Sequence, residues 1–222
     1  MALSENQKQK IRDLLSSKIQ KKLKSYGRET TSMPFLARLI QDNEKIAAYS
    51  FIHSMATTLG MSIYEDVSVI LASENSEECF RNYGVGGAIS KNQKSGNIAD
   101  FYMKRNGKEY YFEIKTVKPN IDVFEKSKTK LLEWIARRRK PVNVFLAFPY
   151  NPYHPEPYSR FTEVGMMDVP NDFLIGDEYW DFIGGKGTFP ELLKTFDEVG
   201  KEYKEQLNMK FKQIAKEKMN SY

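Results

Sequence analysis

Asn106-Gly107 separates two runs of alternating residues, "IADFYMKR" and "KEYYFEI". Asn-Gly favours a two-residue type I′ turn, because both central positions need positive φ. That turn sets the register of the two strands. Arg105 opposes Lys108, and the pairing then runs back along both strands without a gap. One face carries Ala99 with Ile114, Phe101 with Phe112, and Met103 with Tyr110, and is expected in a core. The other carries Ile98 with Lys115, Asp100 with Glu113, Tyr102 with Tyr111, and Lys104 with Glu109. A slip of one residue would bury the charges, so the pattern resists it.

Asp100 and Glu113 should therefore face each other with Cβ atoms about 5 Å apart. Two like charges so placed repel. Lys115, on the same face, offsets part of the repulsion. A divalent cation would offset more, since Mg²⁺ favours carboxylate oxygens. A surface carboxylate pair neutralised by lysines and water fits the same spacing. Glu65 is a third acid, in "SIYEDVSVILAS", a segment apolar on several sides and so expected as a buried helix over 62–73. Glu65 shares a stripe with Val69 and Ala72 and would point inward. Ser62-x-x-Glu65 also matches a capping box, in which Glu65 only closes the helix start.

The rest of the chain supplies helices and one more strand. The spacing predicts helices over 5–25, 43–59 and 121–138, and a charged one from Phe189 to about Lys218. Ile11, Leu14, Leu15, Ile19 and Leu23 form the stripe of the first. Phe124, Leu131, Leu132 and Ile135 would face the core from the third. "VNVFLAFPY" reads as a buried strand ended by Pro149. "NPYHPEPYSR" is a proline-rich loop. Helices, a hairpin, a helix and a further strand give an α/β domain with a mixed central sheet flanked by helices.

Composition excludes several classes. The 222 residues fit one domain, and 41% hydrophobic residues can fill a core. No apolar run is long enough to span a bilayer. The polar start carries no signal-peptide core, and the single Cys79 excludes an internal disulfide or multi-cysteine zinc site, so a cytoplasmic location is expected. A net charge of +5 permits nucleic acid as a partner. His53 lies in an apolar helical segment and reads as packed or hydrogen-bonded; His154 reads as an exposed loop residue.

Asp100 followed by Glu113-Ile114-Lys115 resembles the PD-(D/E)xK nuclease motif, with Ala99 in place of the usual proline. "TSMPFLARLI", "FIHSMATTLGMSIYEDVSVILA", "FEIKTVKPNI", "LLEWIARR", "FPYNPYHPEPYSRFTEVGMMD" and "EYWDFIGG" together resemble the TdeIII-like type II restriction endonucleases, over roughly residues 15–205. That family often carries aspartate where Glu113 stands, and a longer stretch before the catalytic aspartate.

The resemblance implies one nuclease domain over 1–222: a helical part over 1–60, a catalytic core over 61–150, and a loop and helical part over 151–222. It implies Mg²⁺, with Mn²⁺ able to substitute, held by Asp100, Glu113 and the Ile114 carbonyl, with Glu65 near a second ion or a water. Lys115 would orient the attacking water, help to deprotonate it and stabilise the phosphate. The products would carry 5′-phosphate and 3′-hydroxyl ends. The substrate would be double-stranded DNA at a short palindrome of the GGNCC kind, cut by a homodimer, with a cognate methyltransferase in the same system. Lys118, Asn120, Arg137 and Arg138 are candidate phosphate contacts, and Arg160 and Asn151 candidate base contacts. Helix C-terminal cations complementing the dipole explain Arg137 and Arg138 equally well. The alternatives are a structure-specific or repair nuclease of the same fold, and a non-catalytic DNA-binding module.

Overall fold

The computed structural model describes residues 3–25, 39, 41–60, 62–85, 98–115, 121–138, 142–150 and 172–219. Helix α1 (Glu5–Ser25), α2 (Asn43–Gly60) and α3 (Ile63–Ala72) precede a meander of β1 (Glu78–Gly84), β2 (Ile98–Arg105) and β3 (Lys108–Ile114). Helix α4 (Ile121–Arg137) then crosses to β4 (Asn143–Phe148), followed by β5 (Phe173–Ile175), α5 (Asp177–Gly184) and α6 (Thr188–Met219). The sheet order is β1-β2-β3-β4-β5. β1, β2 and β3 are antiparallel, whereas β3, β4 and β5 run parallel. A parallel step needs a long crossover, and α4 provides it between β3 and β4. The mixed α/β architecture expected from the pattern is present.

The hairpin has the register that its turn dictates. Asn106 and Gly107 both have positive φ, 52° and 71°. Arg105 pairs with Lys108, and the ladder continues to Phe101 with Phe112. Local chemistry also sets the helix ends. Ser4 and Gln7 form a reciprocal capping box at α1, with each backbone N–H donating to the other side chain at 3.0 and 3.1 Å. The Asp181 carboxylate accepts the Gly187 and Thr188 N–H groups at the start of α6, each at 3.1 Å.

Both faces of the sheet are buried, which the hairpin pattern did not anticipate. Phe101, Met103, Phe112 and Ile114 pack with Ile11 and Leu15 of α1, Val67 and Leu71 of α3, and Trp180 of α5. On the opposite face Tyr102 and Tyr111 pack with Phe124, Leu131 and Trp134 of α4. The polar face of the hairpin is thus the floor of a second core. Tyrosines were misleading there because an amphipathic ring serves a buried face as readily as a wet one. Ala99 packs in this second core rather than opposite Ile114.

Other expectations are corrected at α4, α2 and the late elements. Phe124, Ser127, Leu131 and Trp134 form the buried stripe of α4, while Leu132 and Ile135 are exposed. The true stripe has the period of a helix at i, i+3, i+7 and i+10. His53 is exposed and stacks on Tyr49 rather than being packed in a core. β1, β5 and α5 were not foreseen. β1 alternates exposed and half-buried residues as an edge strand, and β5 has only three residues, too few for a period to register.

Gly107 tests the turn directly. A Cβ there would meet nothing within 4 Å, so substitution costs only backbone strain. Gly107→Ala should lower unfolding free energy by about 1 to 2 kcal/mol, the left-handed penalty, as measured by urea denaturation. An unchanged midpoint would show that the turn does not need glycine.

Candidate active site

The end of the hairpin away from its turn gathers the acids. The β2–β3 ladder stops at Phe101–Phe112. The β1–β2 ladder skips from Arg81–Phe101 to Tyr83–Ala99, leaving Asn82 opposite Asp100 outside the register, with Asn82 at φ 52°. Asp100 therefore sits where both ladders are interrupted. Its carboxylate takes over part of the missing pairing, for Oδ2 accepts the Ile114 N–H at 2.7 Å.

Glu113 follows Phe112 on β3 and is only 5% exposed. A buried carboxylate needs partners, and two ammonium groups supply them. Lys115 donates to Oε1 at 2.5 Å. Lys130, reaching across from α4, donates to Oε2. The Lys115 backbone is itself fixed, because its N–H donates to the Ala147 carbonyl of β4 at 2.8 Å. Asp100, bonded to the Ile114 N–H, and Glu113, bonded to Lys115, lie at one end of the sheet, but the expected Asp100–Glu113 pair falls beyond the regular ladder.

Glu65 arrives from the first turn of α3 and is buried. It does not close a capping box. Ser62 makes no side-chain cap bond, and its hydroxyl instead accepts from Lys18 at 2.7 Å. Glu65 faces Arg81 of β1, with Oε2 3.0 Å from Nη2. The two are within ion-pair reach but not aligned for a hydrogen bond, and among the described residues the buried Oε2 has no hydrogen-bond partner. Arg81 also bonds Asp66, whose other oxygen lies 3.4 Å from Lys18.

The electrostatics show that these acids are uneasy without more positive charge. Burial, then the charge of Glu113, pushes the Asp100 carboxyl up to about 6. Burial, then the charge of Asp100, pushes Glu65 up to about 7, against the pull of Arg81. Among the described residues no group of three or more His, Cys, Asp or Glu side chains is closed into a ready metal cage. The donor set nevertheless fits a hard divalent cation: all-oxygen carboxylates, mutual repulsion, and one buried oxygen with no hydrogen-bond partner among the described residues.

The other candidate residues lie elsewhere. Arg137 is exposed at the end of α4. Arg138 bonds Glu109 and lies over the Tyr111 ring, 5.8 Å from its centroid. Glu109 is four residues from Glu113, so this arginine sits about 13 Å along the strand from the acids. Lys118, Asn120, Asn151 and Arg160 fall outside the described residues. Sequence reading passed over Arg81 and Lys130. Lys130 looks like any solvated helix lysine, and only its spacing of four from Trp134 hints that it borders a packed stripe.

Folding takes up protons at Asp100 and Glu65, because both carboxyls hold them more tightly folded than unfolded. Metal-free protein should therefore gain stability as pH falls from about 7 toward about 4 and lose it as pH rises. In EDTA the melting temperature should rise on going from about pH 8 to about pH 5.5. Asp100→Asn should flatten that rise and melt higher than wild type at the alkaline end. Parallel profiles for the two proteins would contradict the repulsion.

A family model described as "Type II restriction endonuclease, HinfI" matches residues 3–99 and 97–200. The type II restriction enzyme HgiEI of Herpetosiphon aurantiacus is 27% identical, with 90% of this chain and 95% of the relative aligned. HgiBI of the same organism is 26% identical over the same shares. MjaII of Methanocaldococcus jannaschii, also a type II restriction enzyme, is 26% identical over 70% of this chain and 56% of its own. No solved structure matches the chain.

Proposed function

Since the chain belongs to the HinfI family of type II restriction endonucleases, which are site-specific deoxyribonucleases, we propose that it cleaves double-stranded DNA at a short palindrome with Asp100, Glu113 and Lys115. The single observation that carries this reading is the convergence of those three side chains where the β2–β3 ladder ends. The narrower TdeIII-like placement, with a GGNCC-type target, belongs to the same proposal. So does the whole of 1–222 acting as one nuclease domain in the cytoplasm. Among the described residues no helix is long and apolar enough to cross a membrane.

Asp100, Glu113 and the Ile114 carbonyl would hold Mg²⁺, with Mn²⁺ as a substitute, and Glu65 would hold a second ion or a water. When bound, the ion supplies charge neutralisation at the scissile phosphate and makes nearby water more acidic. Lys115 aims the attacking water and donates to a non-bridging phosphate oxygen as negative charge builds there. Its tether, two residues from Glu113 on the same strand face, keeps it in place. In-line attack on phosphorus with departure of the 3′ oxygen leaves a 3′-hydroxyl and a 5′-phosphate. Arg137 and Arg138, with Lys118 and Asn120, would contact phosphates, and Arg160 and Asn151 would read bases. A palindrome calls for a twofold dimer, so that each strand meets one site, and for a methyltransferase that protects host DNA.

Plasmid digestion with Mg²⁺, followed by sequencing of fragment ends, reports activity, site and stagger together. Discrete bands with 5′-phosphate ends are expected. Lys115→Ala should cut about 10²- to 10⁴-fold more slowly while keeping most of its affinity for duplex DNA in a gel-shift assay. Smears without a common end sequence would rule out a restriction activity.

A further inference from the structure

Glu113 has both carboxylate oxygens occupied by ammonium groups, from Lys115 and Lys130. A cation shared with Asp100 would approach one of those oxygens, and its charge repels the ammonium already there, so the cation and that lysine compete. Lys115 directly follows β3, with its backbone N–H bonded to the Ala147 carbonyl, and belongs to the catalytic trio. Lys130 comes from another element, on the same four-carbon stem. It also has somewhere to rest: its ammonium lies 5.1 Å from the centroid of the buried Trp134 ring, one helical turn away. Cation–π attraction of this kind is independent of Glu113. Lys130 further lines an open groove along α4 with Asp122, Lys126 and Glu133.

We propose that Lys130 is an internal stand-in for the metal, a positioning residue that neutralises Glu113 Oε2 until a divalent cation displaces it. The inference rests on the metal site of the proposed function. In the metal-free enzyme Lys130 holds Glu113 Oε2 in place. When the cation enters, the ammonium withdraws toward Trp134 and the groove. Lys130 thus competes with the cation, setting how much metal the site requires, and stabilises the empty state.

The test is Mn²⁺ titration of metal-free protein by calorimetry, with thermal melting in parallel. Lys130→Met and Lys130→Gln should bind Mn²⁺ about tenfold more tightly than wild type, equivalent to about 1.4 kcal/mol. Both should melt lower than wild type in EDTA and gain more from saturating Mn²⁺. Lys130→Arg, which keeps the charge, should bind no more tightly than wild type. Unchanged or weaker Mn²⁺ affinity in both neutral variants overturns the inference and leaves the metal site standing. Should Lys130→Met fail to fold, the Lys130→Gln titration decides. If Glu113→Gln binds Mn²⁺ as tightly as wild type, the ion is not at this site, and the proposed metal ligands fall together with the stand-in.

Discussion

The repulsion between carboxylates drawn into one corner of the sheet organises that end of this protein. Asp100, Glu113 and Glu65 come from three elements, and burial makes the Asp100 and Glu65 charges costly. Cations answer at every side: Lys115 and Lys130 on Glu113, and Arg81 beside Glu65. The same interaction links fold and function. In the proposed function a divalent cation would share the charge balance that the lysines now supply.

The surrounding fold makes that corner possible. Tyr102 and Tyr111 on one face, and Phe101 and Phe112 on the other, lock the hairpin between two cores. Trp134 and Phe124 press α4 onto the second core, which fixes the root of Lys130. On the first, α3 brings Glu65 to the same end, with Ser68 bonded to Tyr179 of α5 at 2.6 Å as a buried tie. The acids sit where the ladders break, and there the side chain of Asp100 replaces a backbone partner. Regular pairing would have used the Ile114 N–H for the sheet and left Asp100 free to turn toward water.

Much of this was legible in the residues. The hairpin could be read from Asn106-Gly107, because positive φ at both positions is a local property. α1, α3 and α4 could be placed to within a residue or two, because their apolar stripes are long enough to show a period. The faults follow one cause. The polar face of the hairpin, the stripe of α4 and the cap at Ser62 were each judged by residue type within a single element. In each, a neighbour decided the outcome: α4 covered the tyrosines, the sheet chose Trp134 over Ile135, and Lys18 took the Ser62 hydroxyl.

By itself, the sequence determined the strand register from Arg105–Lys108 to Phe101–Phe112 and the helix-forming segments, all set by φ preferences and short periods. The tertiary structure alone decided that both faces would be buried, that Glu65 would meet Arg81 rather than cap its helix, and that Lys130 would reach Glu113. Those outcomes depend on distances between segments far apart along the chain, and no local periodicity encodes them.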